Sequence, residues 1–388
     1  MPILKKEDFY NSYFQKDKTF EYYSKIGYTH NNKIFYSKAA TTNKQKAYAI
    51  SLFPNYFHSE VLKSSYNIKK TVQKNLDGFA VLTNGYSNIN EYLQNHLKPK
   101  TRGPILRRIK RLESCFNIEY KLCYGNISKE LYDTALSKLK EMLLSRFAQK
   151  KDSTEILDKW EHYEKTTFEA IKNKTASLFI VYANNEIIGI SINYLIKDIF
   201  IGHIFCYDIN FSKFSLGNTM VYKLLEWCFE NKYSMLDMGN GDLEYKKIWC
   251  NLKYNYEYHF IYKKESIPGF ILAHLEILKI KIKNTLKYYK IDKAYTYVKK
   301  KLKGPTIPNS NPFFNYTIEP INPESLNQLE VTKIDFNKSP HLNNIKKPMY
   351  DFLYTEQEHI DNLEVFLINE NNYILKGTKK VKKVTFDL

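Results

Sequence analysis

The sequence predicts a mixed α/β (α+β) chain: a mainly antiparallel sheet flanked by helices, with a small β-containing module at the C-terminal end. Three observations carry that class. Residues 178–182, 187–194 and 200–207 are successive apolar, β-branched runs, and Asn184-Asn185 between the first two is a hairpin signal. Residues 205–231 read as a strand end, a one-glycine turn and an amphipathic helix, with Met220, Val221, Leu224, Leu225, Cys228 and Phe229 at helical spacing. A short apolar strand at 234–238 and another at 254–262 then add a βαβ step to the meander.

Taken in order, residues 1–30 are polar and aromatic and are expected to be helical. Strands are expected at 33–36, 47–53 and 78–83, with a helix over 59–73 between the last two. This makes 1–100 a first, incomplete half. A helix starts at Asn88, Pro99 to Pro104 interrupts it, and a second helix follows over 105–113. Ile105, Leu106, Ile109 and Leu112 form the apolar stripe of that second helix, and Arg107, Arg108, Lys110 and Arg111 face elsewhere. After a strand at 116–123, Ser128 caps a long helix reaching about 149, and another helix covers 156–173. The segment 101–265 is thus the main domain.

Beyond Pro268-Gly269 the character changes. Residues 266–303 read as one amphipathic helix; 267–303 holds ten lysines against Glu276 and Asp292, a net charge of +8. A Pro/Asn-rich linker at 304–312 leads to a module over 313–388, with a short β-meander at 365–368, 373–376 and 381–386.

Composition narrows the function classes. A net charge of +18 favours anionic partners, although lysine drift in an AT-rich genome produces the same excess. Of 59 basic residues only five are arginine, and Arg102, Arg107, Arg108 and Arg111 fall within ten positions. Where lysine is the default cation, such a cluster suggests that a planar, forked guanidinium is wanted, to clamp phosphate or carboxylate groups; the competing reading is a solvated helix face. Five cysteines, with no Cys-x-x-Cys pair, argue for free thiols in a reducing compartment and against a metal site. No signal peptide and no run of eighteen apolar residues is legible, so a cytoplasmic location is expected.

The turn at 215–219 is the candidate binding element. Ser215 or Asn218 can cap the helix, and around Gly217 the backbone N–H groups of Leu216, Gly217, Asn218 and Thr219 are unpaired donors at the positive end of the helix dipole, a seat for phosphate oxygens. The strand at 234–238 runs into a polar turn holding Gly239, Gly241, Asp242, Glu244, Tyr245 and Lys246. Tyr207-Asp208, Ser215-Leu216-Gly217, Asp237, Gly241-Asp242, Tyr245-Lys246 and Trp249, in that order and spacing, resemble the CelD-like acetyltransferase branch of the GNAT superfamily over roughly residues 90–265. Leu216 stands where that pattern usually has proline, which leaves the turn shape open.

The resemblance implies a GNAT-like fold, with 1–100 a second GNAT-like half. It also implies acyl-coenzyme A (acetyl-coenzyme A) as a co-substrate, with no permanently bound cofactor. Its pyrophosphate would lie on Ser215 to Thr219 and its pantetheine arm along the strand ending at Tyr207. A backbone N–H near Phe205 to Tyr207, Cys206 among them, would polarise the thioester carbonyl. Asp242 is the implied base or amine anchor and Tyr245 the acid, with His203 and Asp237 as further catalytic candidates. Arg107, Arg108, Arg111 and Lys246 are candidates for holding an anionic acceptor or a coenzyme phosphate. A lone histidine in a central strand is more often a satisfied core residue, and the 242–246 acids are as readily loop braces.

N-acyl transfer from acyl-coenzyme A to the amine of a small molecule or sugar precursor, as in polysaccharide biosynthesis, is the leading expectation. Two alternatives stay open. One is a Fem-type aminoacyl-tRNA-dependent transferase, the only reading in which nucleic acid is a partner of the enzyme. The other is a non-catalytic protein that uses the basic faces at 105–111 and 279–303 on nucleic acid or lipid. Under any of these readings, 267–303 is open to two roles, a helix packed on the core with a wet lysine face or a peripheral membrane contact on anionic lipid. Acyl chain, acceptor and oligomeric state are not legible in the sequence.

Overall fold

A computed structural model describes residues 3–15, 20, 22–29, 33–37, 45–150, 155–289, 315–323, 330–335 and 343–387. The chain divides into two compact units, each discontinuous in sequence. The first comprises Met1–Asn84, Ile196–Ile201 and Ser234–Ile307, and the second Gly85–Leu195, Gly202–Tyr233 and Pro308–Leu388.

The elements, in chain order, are β1 (Leu4–Asp8), α1 (Phe9–Gln15), β2 (Tyr23–Tyr28), β3 (Ile34–Ser37), β4 (Ala47–Pro54), β5 (Phe57–Val61) and β6 (Tyr66–Leu82). Next come α2 (Ile89–His96), α3 (Pro99–Cys115), β7 (Ile118–Cys123), α4 (Lys129–Lys150), α5 (Glu155–Asp158), α6 (Trp160–Lys172), β8 (Ala176–Ala183), β9 (Glu186–Ile196) and β10 (Ile199–Tyr207). A 3-10 turn at Ile209–Phe214 precedes α7 (Leu216–Glu230), β11 (Met235–Asn240), α8 (Glu244–Trp249), β12 (Leu252–Lys263) and α9 (Ile267–Tyr288). The C-terminal strands are β13 (Tyr316–Pro320), β14 (Thr332–Ile334), β15 (Glu364–Asn369), β16 (Asn372–Lys376) and β17 (Val381–Phe386), with a helix at Asn343–Glu356.

In the first unit the strand order is β1-β4-β12-β6-β11, with the first residues of β10 beside β11. β6 and β12 form a long antiparallel ladder, from Leu252↔Ala80 to Lys263↔Tyr66. β11 runs antiparallel to β6 and parallel to β10. A smaller sheet, β3-β2-β5, lies in the same unit. The helix expected over 59–73 is instead the end of β5 and the first half of β6. Local spacing there suits either state, and pairing with β12, almost two hundred residues away in sequence, decides it. The N-terminal 30 residues likewise hold β1, the short helix α1 and β2 rather than helix throughout. Their aromatic residues are core: Phe9, Phe20, Tyr23 and Phe57 are almost wholly buried.

In the second unit β7, β8, β9 and the remainder of β10 are neighbours in that order. The β8–β9 hairpin turns on Asn184 and Asn185, both at positive φ (49° and 67°), the backbone that this dipeptide favours. Ser128 caps α4 through Leu131 N–H (3.2 Å). α3 starts at Pro99 and contains Pro104, so residues 99–104, expected to interrupt the helices, are themselves helical, and the break lies at Leu97 and Lys98. Pro99 opens the helix where no N–H partner is required. The expected meander is β15, β16 and β17, and β13 and β14 extend it to a five-stranded sheet. The expected linker at 304–312 and the distal part of the basic helix, 290–303, lie outside the described residues.

Candidate functional site

In the second unit, β10 alternates. Ile204 and Cys206 are buried, while His203, Phe205 and Tyr207 reach solvent on the other face. Burial raises the Cys206 thiol, against the pull of Arg146, so it is a packed thiol rather than a nucleophile. His203 Nε2 lies 2.9 Å from the Tyr163 hydroxyl, and its ring packs against Tyr194 at 5.2 Å. Crowding by protein, then Lys159 and His162, hold its pKa below the ordinary value. Its open edge limits that shift, and the ring is neutral at pH 7.

Four residues on, Tyr207 lies against the start of α7. A Cβ placed on Gly217 would come within 3.0 Å of Tyr207 Cε1, so the ring rests on a bare α-carbon. The Arg146 guanidinium stands 5.4 Å from the ring centroid on α4. Arg146 is the one arginine outside the 102–111 cluster, and sequence reasoning gave it no role.

The turn differs in detail from its expectation. Ser215 is the N-cap but sits in the left-handed region (φ 59°, ψ 43°), and its side chain caps no backbone N–H. Asn218 Nδ2 donates to Ser215 Oγ instead (2.9 Å). The N–H groups of Asn218 (2.8 Å) and Thr219 (3.3 Å) donate to the Ser215 carbonyl. Two of the four expected donors are therefore consumed by the first helical turn. Leu216 and Thr219 are buried, and Ser215, Gly217 and Asn218 are half-exposed.

A second cluster lies in the first unit, around Asp237. This carboxylate is wholly buried at the register position paired with Ile201 and Ala80. It accepts from Tyr56 (2.6 Å), Tyr254 (2.8 Å to each oxygen), Tyr10 (3.2 Å) and the Gly239 N–H (2.7 Å). Tyr254 also bonds Tyr256 at 2.8 Å. Tyr254 gets there by crossing Gly78, where a Cβ would fall 2.1 Å from its ring. Burial pushes the Asp237 carboxyl up, and these donors oppose the rise. Sequence reasoning marked Asp237 but none of its tyrosine partners.

The polar turn after β11 is split. Lys246 is buried, its ammonium donating to the Asn240 carbonyl, and burial lowers its pKa while Asp237 resists that. Asp242 is exposed and paired with Lys247 (2.8 Å), which holds its pKa below the usual range, a poor setting for a base at neutral pH. Tyr245 is half-buried. Of the arginine cluster, Arg107 and Arg108 are exposed, whereas Arg111 donates to the Tyr354 carbonyl (2.6 Å) and covers the Tyr354 ring. Arg111 thus holds the Asn343–Glu356 helix against α3 through one N–H bond and the Tyr354 ring, with its charge directed at protein.

The end of β10, the 3-10 turn and α7 thus form a strand–turn–helix within the second unit. Residues 99–247 match the family model described as acetyltransferase (GNAT) domain. The match supports the GNAT superfamily and acyl transfer in general over that segment. No curated protein matches the chain. Among solved structures, FemX is 11% identical over 56% of this chain and 72% of its own, with a TM-score of 0.39. A conserved protein of unknown function from Bacteroides thetaiotaomicron is 12% identical over 57% and 71% (TM-score 0.38). L-PGS from Bacillus licheniformis is 12% identical over 61% and 72% (TM-score 0.36). Likenesses this distant fix neither donor nor acceptor.

Proposed function

We propose that the protein is a GNAT-type N-acyltransferase that moves an acyl group from acyl-coenzyme A to an amine. The carrying observation is the open face of β10, on which His203, Phe205 and Tyr207 lead to the bare α-carbon of Gly217. The coenzyme phosphates are assigned to the start of α7, beside the Tyr207 ring that covers the Gly217 α-carbon, where Arg146 adds a cation. Leu216 and Gly217 supply the backbone donors. The Tyr207 ring on this seat sets the edge of the phosphate site.

The chemistry requires a neutral amine. The amine nitrogen attacks the thioester carbonyl, a C–N bond forms, and the C–S bond breaks. His203, neutral at pH 7, takes the amine proton, and the Tyr207 hydroxyl gives a proton to the departing thiolate. The proton returned from His203 by way of solvent restores Tyr207. Asp242, exposed and engaged with Lys247, is reassigned from base to brace of the loop after β11. Asp237 is given a structural role: it accepts from Tyr10, Tyr56, Tyr254 and the Gly239 N–H, and it fixes the end of β11. The CelD-like branch rests on the resemblance carried by Tyr207 to Trp249, and an amino sugar or related precursor as acceptor rests on that family resemblance alone.

Calorimetric titration with coenzyme A tests this reading: saturable binding is expected from the intact protein. The charge of +18 favours one second reading, aminoacyl-tRNA as donor. Protection from heat by tRNA and not by coenzyme A would select it.

A further inference from the structure

Helix α9 is apolar on two opposite faces. One face carries Ala273 and Ile280, buried on β4 and β12 against Ala47, Ala49, Phe260 and Tyr262, with Ile277 packed beside them. The opposite face carries Ile267, Ile271, Leu275, Leu278, Ile282 and Leu286, each between 43% and 74% exposed. The steps between them are three or four residues, so they fall on one stripe of a helix at about 100° per residue. An apolar face of six large side chains in water is unusual and marks a surface that something else covers.

Charge decides between the candidate occupants. Lys279 and Lys281 flank the stripe one on each side, with Lys283 beyond Lys279, and all three are exposed. The one acid of the helix, Glu276, is turned inward and held by Lys6 at 2.7 Å, with Lys279 at 3.9 Å. A second copy of the chain is disfavoured. With Leu275 and Ile282 as successive a positions and Leu278 as d, Lys279 falls at e and Lys281 at g, so a self-paired helix sets lysine against lysine. An anionic lipid surface meets both features, since the stripe sinks into the acyl boundary while the lysine stems reach up to the headgroups. Among the described residues no helix is long and apolar enough to cross a membrane.

We infer that α9 docks the protein on anionic membranes, lying in the interface plane with Ile271, Leu275, Leu278 and Ile282 inserted. This is independent of the acyl-transfer reading and survives its failure. The test is co-sedimentation of the full chain with vesicles of phosphatidylcholine alone or with about 30% phosphatidylglycerol. Binding is expected to the mixed vesicles only, and to fall steeply as salt rises from roughly 0.1 to 0.5 M. Lys279→Glu with Lys281→Glu should reduce partitioning by more than tenfold, since each lysine near such a surface contributes about fivefold. Leu275→Asp with Leu278→Asp should abolish it with the thermal midpoint unchanged, these side chains being exposed in the fold. Equal binding to neutral vesicles, or retention by Leu275→Asp/Leu278→Asp, would overturn the proposal. So would absence of vesicle binding together with a dimer in sedimentation that Leu278→Asp dissociates.

Discussion

The Tyr207 ring rests on the α-carbon of Gly217, where a methyl group would sit 3.0 Å from Cε1. The pair couples the end of β10 to the start of α7. Gly217→Ala makes that ring give by a few tenths of an ångström, and the better helix propensity of alanine offsets part of the strain, so a net cost of at most about 1 kcal/mol is expected. In a double-mutant cycle with Tyr207→Ala the cost should largely vanish, because the ring is what the new methyl group meets. Urea unfolding of the four proteins measures it. Simple additivity would mean that the two residues are not in contact.

His203 sets the acid side of the expected pH profile. Its neutral ring accepts a proton, so kcat/KM should fall as pH drops and the ring becomes charged. Its lowered pKa puts that limb below 6.5. His203→Ala should lower kcat by about 10²–10⁴ and remove the limb. A profile that keeps its acid limb in the variant would assign the base elsewhere.

Asp237 offers a stability test separate from activity. Asp237→Ala leaves the hydroxyls of Tyr10, Tyr56 and Tyr254 without their shared acceptor, deep in the first unit. A loss of about 3–5 kcal/mol is expected, as for other broken buried polar networks. Asp237→Asn retains one acceptor oxygen and should cost less. Equal losses from both would mean that shape, rather than hydrogen bonding, holds the cluster.

His259 gives a pH dependence of folding. Its ring is buried, with Nδ1 2.6 Å from the Tyr23 hydroxyl and Nε2 3.1 Å from Glu257. Burial, only partly opposed by Glu257, lowers its pKa to about 4, against about 6.5 for an unfolded chain. Between those values the unfolded chain holds a proton that the folded one rejects. Stability should therefore fall as pH drops through this window, by roughly 3 kcal/mol in all, with no further loss below the folded pKa. His259→Gln keeps hydrogen-bonding capacity without the titration and should flatten that part of the curve. An unchanged slope would place the titration on other groups.

The βα step was legible because its signals are local. The Asn184-Asn185 turn, the apolar runs of β8 to β10 and the helical spacing of α7 all lie within short windows. The Asp237 cluster was not. Tyr10 is 227 residues from Asp237, and with 33 tyrosines in the chain none stands out by composition. The helix expected over 59–73 failed for the same reason, since its partner strand β12 is a distant segment. Contiguous boundaries drawn along the sequence also miss a chain that leaves the first unit after Asn84 and re-enters it at Ile196 and again at Ser234. Arg111 was expected to hold an anionic acceptor or a coenzyme phosphate; one of its N–H groups donates instead to the Tyr354 carbonyl, a partner 243 residues away that no local signal indicates.

The most direct test is calorimetric titration of coenzyme A into the intact protein and into Gly217→Trp, with folding of both confirmed by circular dichroism. Saturable binding by the first and none by the second is the predicted result. Equal affinity in the two proteins would contradict the assignment of the acyl donor to the start of α7.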